Sequence, residues 1–203
     1  MSKFKKFLIK VALCIYPVKF YGKENIPSGG ALFVCNHLSV IDCLYLAGLD
    51  VDDLKFLAKK EAFRNKLFAK ILRAYGAIPI DRNAPEMRSL MEAIKTLKGG
   101  GKLMIFPEGT RNKSGTNELQ EIKSGAAVFA VKAKCPIVPI MIYKKAKIFS
   151  RNKLIVGKPF SLEQYYSLTL DEQTNKEMDV IIATKMKEQQ SILKEIVSSK
   201  RMK

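Results

Sequence analysis

The sequence predicts a single α/β domain, with a mostly parallel sheet flanked by helices and an N-terminal amphipathic membrane-associating helix. Short, continuously apolar segments such as residues 31–35 and 103–106 are typical of strands buried on both faces of a parallel sheet. These segments alternate with helix-length amphipathic segments, which favours an α/β fold over an antiparallel one. The 203 residues are 47% hydrophobic, enough for one core.

The first 23 residues contain six lysines and no acid. Apolar residues recur there at three- and four-residue steps, which predicts a helix with an apolar stripe made of Phe4, Phe7, Leu8, Val11, Ile15 and Val18. The segment is too short and too charged to span a bilayer, which takes about 20 apolar residues. The stripe can pack on the domain's own core or lie in a membrane interface, and the lysines favour an anionic membrane surface.

We therefore expect three parts: a basic membrane-associating segment at residues 1–21, the main domain at residues 22–160, and a C-terminal helical extension at residues 161–203 that packs on the domain. Within the main domain, apolar runs bounded by turn residues predict the strands. These are residues 31–35, 54–57, 77–80, 102–106, 137–142 and 154–156.

Helices are predicted between these strands, where apolar residues follow the helical period. We expect Ser39 to cap a helix that carries Asp42 in its first turn. The other helices of the main domain are predicted at residues 61–75, 85–97 and 125–134. In the C-terminal extension a weaker apolar stripe comprises Ile182, Met186, Leu193 and Ile196.

The formal net charge of +17 predicts a polyanionic partner, which can be nucleic acid, an anionic membrane or a phosphorylated substrate. No nucleic-acid-binding module and no basic segment interleaved with exposed aromatic residues accompanies the charge, so no nucleic acid is expected. The four cysteines have no paired spacing and are interpreted as free thiols in a reducing compartment. With one histidine in the chain, no metal site is expected.

That histidine, His37, follows the strand at residues 31–35 and precedes Asp42 by five positions. A carboxylate that accepts a hydrogen bond from one ring nitrogen leaves the other free to take up a proton, as in a catalytic triad. A strand-to-helix turn is needed to let the two side chains face each other. A buried structural histidine is the alternative, but α/β sheets bind ligands at the carboxyl ends of their strands.

No nucleophile completes a triad, because the chain has no G-x-S-x-G elbow and no second histidine to activate a cysteine. We therefore expect His37 to deprotonate a hydroxyl group of the substrate. Three further polar clusters follow apolar strands: Lys59-Lys60-Glu61, Asp81-Arg82 and Glu108-Gly109-Thr110-Arg111. If the strands are parallel, these clusters and His37 lie along one edge. The arginines suit a phosphate, and Gly109 permits close approach of a ligand to the backbone.

Four ordered blocks of residues resemble the 1-acyl-sn-glycerol-3-phosphate acyltransferase family, the lysophosphatidic acid acyltransferases of phospholipid biosynthesis. The first is the HX4D block Asn36-His37-x-Ser39-x-x-Asp42. The others are GAIPIDR at residues 76–82, FPEGTR at 106–111 and PIVPI at 136–140. The resemblance extends over residues 21–160, and four ordered blocks are far more specific than one short pattern.

The resemblance implies transfer of an acyl chain from a thioester donor to the sn-2 hydroxyl of 1-acyl-sn-glycerol 3-phosphate, which gives phosphatidic acid. It implies catalytic roles for His37 and Asp42. It also implies a substrate-binding set that consists of Lys59, Arg82, Glu108, Gly109, Thr110 and Arg111.

No cofactor is expected beyond the co-substrate, which is acyl-CoA or acyl-acyl carrier protein. The expected location is peripheral or monotopic on the cytoplasmic face of the cell membrane. Two alternatives stay open. The enzyme can acylate another acceptor, such as glycerol 3-phosphate or a lysophospholipid, or the chain can be a non-catalytic basic membrane-binding protein.

Overall fold

In the part of the chain that the structure describes, a seven-stranded sheet lies between two layers of helices. The computed structural model describes residues 3–81, 87–123 and 125–199. The strands are β1 (Val18–Tyr21), β2 (Ala31–Cys35), β3 (Leu54–Lys59), β4 (Ala77–Ile80), β5 (Lys102–Ile105), β6 (Ile137–Ile142) and β7 (Asn152–Val156). The helices are α1 (Lys3–Ile15), α2 (Asp42–Ala47), α3 (Lys66–Ala74), α4 (Met87–Lys98), α5 (Ala126–Ala133) and α6 (Glu172–Ser199).

The order of strands across the sheet is β1-β7-β6-β2-β5-β3-β4. Strands β6, β2, β5, β3 and β4 are all parallel, whereas β7 is antiparallel to β6 and β1 is parallel to β7. The predicted α/β fold with a mostly parallel sheet is therefore confirmed. Its consequence for function is that the carboxyl ends of five strands meet at one edge.

Central strand β2 separates two hydrophobic clusters, because successive side chains of a strand point to opposite faces. Leu32 and Val34 pack with the layer formed by α4, α5 and α6. Ala31, Phe33 and Cys35 pack with the layer that contains α2 and part of α1. All five side chains are fully buried, which explains why this strand is continuously apolar in the sequence.

The helix predicted to include Val18 ends earlier, at Ile15. Val18 instead begins β1, an edge strand that pairs with β7. Pro17 accounts for the difference, because proline has no N–H to donate and disfavours a helical conformation in the residue before it. The carbonyl of Pro17 accepts a hydrogen bond from the N–H of Asn152 at 2.8 Å, which aligns the chain for pairing with β7.

Helix α1 contacts the domain through a face other than the predicted stripe. Ile9 is its buried residue. All five stripe residues that lie on the helix are exposed: Phe4, Phe7, Leu8, Val11 and Ile15. The stripe therefore does not pack on the domain's own core. None of the helices in the described ranges combines the length and the apolar character needed to cross a bilayer.

The helix predicted at residues 61–75 is divided into a 3-10 turn, Lys60–Phe63, and helix α3. The C-terminal part of the chain forms the long helix α6, which packs on β6 and β7. Of its predicted stripe, Ile182, Met186 and Leu193 are buried, and Ile196 is partly buried against the same cluster. Val197, which was not predicted, is also buried.

Candidate active site

The chain leaves the sheet directly after β2, at the residue that precedes His37. The side-chain amide of Asn36 donates to the carbonyl of Ile142 at 3.0 Å, and its oxygen accepts the N–H of Ile142 at 2.8 Å. Asn36 is fully buried. Its side chain thus replaces a backbone group in the pairing of β2 with β6, and the backbone is free to turn at His37.

The turn after β2 brings the side chains of His37 and Asp42 together. Their Nδ1 and Oδ2 atoms are 2.9 Å apart. The same Oδ2 accepts the N–H groups of Leu38 and Ser39, each at 2.7 Å, and the Asp42 side chain is fully buried. Because a carboxylate accepts hydrogen bonds, Nδ1 carries the ring proton and Nε2 is left free as an acceptor.

Ser39 does not cap α2 as predicted. Its hydroxyl oxygen accepts the N–H of Ile41 at 3.1 Å, inside the turn, and Ile41 occupies the position before the helix. Asp42 instead binds the free N–H groups of the turn, because its carboxylate is a stronger acceptor than a hydroxyl group. Asp42 thus orients the His37 ring and also stabilises the turn on which His37 lies.

The loop after β5 fixes His37 from the other side. The Phe106 ring stacks on the imidazole, with centroids 4.0 Å apart and planes inclined by 16°. The backbone N–H of His37 donates to Glu108 Oε1 at 2.7 Å, and the His37 carbonyl accepts the N–H of Asn112, also at 2.7 Å. The His37 side chain is 17% exposed, so its position is fixed while one edge stays accessible.

Glu108 is positioned differently from the substrate contact that the sequence suggested. Its two carboxylate oxygens accept backbone N–H groups, one from His37 and the other from Gln120 at 3.3 Å. The residue is 1% exposed. Its side chain therefore joins the loop after β5 to the turn that carries His37. Burial raises the pKa of Glu108 above its ordinary value, although the two N–H donors act in the opposite direction.

Glu108→Gln is expected to change how stability depends on pH. A carboxyl group whose pKa is raised in the folded state stabilises the fold below its unfolded pKa, about 4.3. That contribution is lost as the pH rises through the folded pKa. Melting temperatures of both proteins, measured across this range, should show the native protein losing stability relative to the variant as the pH rises. If the difference in melting temperature between the two proteins stays constant with pH, the pKa of Glu108 is not raised.

Lys59, Gly109, Thr110 and Arg111, the other predicted binding residues that the structure describes, lie along the same edge of the sheet. Lys59 ends β3, is exposed and forms an ion pair with Glu61 at 3.4 Å. Gly109 has a φ of +69°, which favours glycine, and a side chain there would meet Lys123. Thr110 and Arg111 are exposed on the loop after β5. Arg82 lies outside the described residues.

An apolar cavity of about 510 Å³ adjoins His37. Residues from α1, α2, α3, β3 and β4 form its walls, together with His37 and Phe106. Apart from His37, Cys43 and Tyr75, every residue of the wall is aliphatic or phenylalanine: Leu8, Ile9, Ala12, Val40, Leu44, Ala47, Phe56, Leu57, Ala58, Leu72, Ala77 and Phe106. A cavity of this size and composition suits a hydrocarbon chain.

Sequence reasoning missed this cavity as a site, because its wall comes from separate elements. Helix α1 contributes Leu8, Ile9 and Ala12, of which only Leu8 belongs to the stripe that the sequence predicts. Phe106 belonged to a recognised block, but its stacking on His37 has no sequence signal beyond that membership. The sequence offers one clue to the cavity, which is that two residues of its wall, Cys43 and Leu44, directly follow Asp42.

Comparisons with known proteins agree with this geometry. A family model described as Acyltransferase matches residues 17–143. The 1-acyl-sn-glycerol-3-phosphate acyltransferase of Bacillus subtilis (strain 168) is 35% identical over 185 residues, which cover 85% of this chain and 89% of that protein. The protein of the same name from Helicobacter pylori (strain J99) is 34% identical, with 70% of this chain and 61% of that protein covered.

A solved structure has a similar fold. The crystal structure of the 1-acyl-sn-glycerophosphate (LPA) acyltransferase PlsC from Thermotoga maritima matches with a TM-score of 0.68 and 25% sequence identity. The match covers 92% of this chain and 78% of that one. The family model covers more than half of the 203 residues, including His37, Asp42 and the loop after β5. The family model, the similar fold and the four sequence blocks together establish that the chain belongs to the acyltransferase family of enzymes.

Proposed function

We propose that this enzyme transfers a fatty acyl chain from a thioester to the sn-2 hydroxyl of 1-acyl-sn-glycerol 3-phosphate, giving phosphatidic acid for phospholipid biosynthesis. The observation that carries the proposal is that His37, which is held by Asp42, lies in the wall of a largely apolar cavity. The names of the relatives from Bacillus subtilis and Helicobacter pylori support the same acceptor.

In the proposed mechanism, His37 Nε2 accepts the proton of the sn-2 hydroxyl as its oxygen attacks the thioester carbonyl. The carbon–sulfur bond then breaks, and the leaving thiolate takes the proton from the imidazolium. Asp42 stabilises the imidazolium through the 2.9 Å contact with Nδ1. Both steps balance in atoms and charge, and neither needs a metal or a further cofactor.

Cys43 is the thiol in the cavity wall, and its ionisation argues against a covalent acyl-enzyme. Although the residue is solvent-accessible, most of the surroundings of its thiol are protein. Burial, and then the charge of Asp42, raises the pKa of Cys43 to about 12. At neutral pH the group is therefore a thiol, and the thiolate is the nucleophilic form of cysteine. Direct attack by the substrate hydroxyl needs no such group.

The apolar cavity is the proposed site of the donor's acyl chain, with acyl-CoA or acyl-acyl carrier protein as the donor. Leu57 and Ala58 line this cavity together with His37 and Phe106, which supports an acyl chain in the cavity and its thioester beside His37. The acceptor phosphate would be bound by the basic residues at the same edge of the sheet. Arg111 and Lys59 are exposed there, and Arg82 is the third candidate.

Ala58→Leu is expected to shorten the acyl chain that the enzyme prefers. Three added carbons displace about two methylene groups of a long chain, each worth about 0.8 kcal/mol of burial. The value of kcat/KM for long-chain donors should therefore fall about tenfold, because 1.36 kcal/mol corresponds to a factor of ten. Rates with a series of donor lengths measure this, and a short-chain donor is the internal control. Equal losses at every length would contradict the cavity's role.

The exposed stripe of α1 supports a membrane-associated enzyme, peripheral or monotopic, and the free cysteines agree with the cytoplasmic face of the cell membrane. Phe4 is 69% exposed and Phe7 61%, and Lys3 and Lys10 are exposed on the same helix. Apolar and basic groups together suit an anionic bilayer surface. Leu8 belongs both to this stripe and to the cavity wall, so lipid substrates would enter from the bilayer side.

An acceptor-by-donor assay of the purified protein tests the proposal. The acceptors are 1-acyl-sn-glycerol 3-phosphate, glycerol 3-phosphate and a lysophospholipid, each offered with acyl-CoA and with acyl-acyl carrier protein. We expect phosphatidic acid as the main product. A preference for either other acceptor would replace the proposed substrate, and the absence of transfer in every combination would favour a non-catalytic membrane-binding protein.

A further inference from the structure

The connection between β6 and β7 has apolar residues at its tip. Residues 147–150 form a tight turn closed by a hydrogen bond from the Ser150 N–H to the Lys147 carbonyl at 3.2 Å. Between them, Ile148 is 58% exposed and Phe149 is 79% exposed. Phe149 is the most exposed of the large hydrophobic residues among those described. Folding alone gives no reason for two large apolar side chains here.

The backbone of Phe149 makes this placement less favourable still. Its φ is +55°, in the left-handed region where glycine and asparagine are favoured and a bulky residue is an outlier. The third position of a tight turn with positive φ is ordinarily glycine. A phenylalanine that is exposed and conformationally unfavourable contributes little to the fold, so its side chain points to a contact outside the chain.

The turn adjoins the end of α1. The N–H of Phe149 donates to the carbonyl of Ile15, the last residue of that helix, at 2.8 Å. The exposed stripe of α1 therefore continues into the tip of the turn. Because β6 is parallel to β2, the turn also follows the sheet edge at which His37 lies.

The charges around the tip all have one sign. The sequence KKAKIFSRNK at residues 144–153 contains five basic residues and no acidic one. Lys145, Lys147 and Arg151 are exposed, while the Lys144 ammonium bonds the Ser150 hydroxyl at 2.9 Å inside the turn. Cations that surround an aromatic and an aliphatic tip suit the headgroup region of an anionic bilayer.

We propose that Ile148 and Phe149 insert into an anionic bilayer as a second lipid contact beside α1. This inference rests on the membrane association proposed above, and it adds a contact separated from α1 by more than 130 residues of sequence. Continuity with the apolar stripe of α1 favours a lipid surface over an acidic protein such as an acyl carrier protein. Two contacts at one edge would also hold the active-site edge towards the bilayer.

Phe149→Gly tests the insertion, because glycine removes the side chain and adopts a positive φ without strain. The measurement is co-flotation of the full chain with vesicles of phosphatidylcholine containing phosphatidylglycerol. We expect the partition coefficient to fall about tenfold, as is typical for the loss of one buried aromatic side chain. The melting temperature should stay equal or rise. A structural role for the side chain would instead lower the melting temperature.

Val180→Ala is the matched control. Val180 is 64% exposed on α6, in the layer on the opposite face of the sheet from α1, and its truncation should leave flotation unchanged. Unchanged flotation of Phe149→Gly would overturn the proposal. If Phe149→Gly also binds acyl carrier protein more weakly than the native protein does, the turn is a contact for that protein and not for lipid.

The chemistry is measured separately from the membrane contact. With a short-chain donor and a short-chain acceptor in solution, Phe149→Gly should match the native enzyme, because the turn is outside the cavity wall. If the native enzyme fails to acylate any acceptor, the proposed function fails, while the flotation result still decides the role of the turn. If acylation proceeds and flotation of Phe149→Gly is unchanged, the proposed function stands and only the membrane contact of the turn is excluded.

Discussion

His37→Ala is expected to lower the rate of acyl transfer by about a thousandfold and to leave the protein folded. A positioned general base contributes about 10²–10⁴ in rate. The chain contains no second histidine to replace it. The side chain packs on Phe106, but its main structural contacts are made by its backbone N–H and carbonyl, which alanine retains. The loss should therefore be in kcat more than in the melting temperature.

Single-turnover rates of the purified variant, with 1-acyl-sn-glycerol 3-phosphate at saturating concentration, measure the effect. His37→Gln is the companion variant, because it retains polar bulk but has no basic nitrogen, and it should be as slow as His37→Ala. Circular dichroism melts verify that both variants are folded. Transfer at more than a tenth of the native rate by either folded variant would exclude His37 as the base.

Asp42 has the largest combined effect on stability and rate. Asp42→Ala removes the acceptor of the buried N–H groups of Leu38 and Ser39 as well as the partner of His37 Nδ1. Each buried donor left without an acceptor costs about 1–3 kcal/mol. We expect a loss of about 2–5 kcal/mol in the free energy of unfolding and a fall in Tm on the order of 10 °C.

Asp42→Asn separates the two roles. Its amide oxygen can still accept N–H groups of the turn, so the stability loss should be smaller than for alanine. The same oxygen can also accept the Nδ1 proton, but it is neutral and stabilises the imidazolium formed during transfer less than a carboxylate does. The rate should therefore fall by about 10²–10⁴ even in the folded variant. Chemical denaturation and initial rates of both variants measure this. A fully active Asp42→Asn enzyme would leave Asp42 a purely structural residue.

The sequence was most informative where one local pattern dominates. Strands β2 and β4 have the predicted bounds, because their apolar runs are flanked by a glycine on one side and a polar or charged residue on the other. The approach of His37 to Asp42 was also predictable, since a turn between a strand and a helix brings residues five apart together. These features depend on residues that are neighbours in the chain, and their patterns are local.

What the sequence did not reveal depends on distant contacts. The family resemblance implied that Glu108 binds substrate, but it gave no sign that this carboxylate accepts the N–H of a residue 71 positions earlier. Strand β1 is only four residues long and exists through its pairing with β7, more than 130 residues later. The cavity has no pattern of its own, since five elements each contribute only one to three residues to its wall.

Helix α1 has one further consequence, which concerns how a water-soluble form of the enzyme can be made. Deleting the helix would also remove Leu8, Ile9 and Ala12 from the cavity wall and open the cavity to solvent. Polar replacements at Phe4, Phe7 and Val11 alter only the outward side of the helix. Solubilisation by surface redesign therefore preserves the acyl cavity, whereas truncation does not.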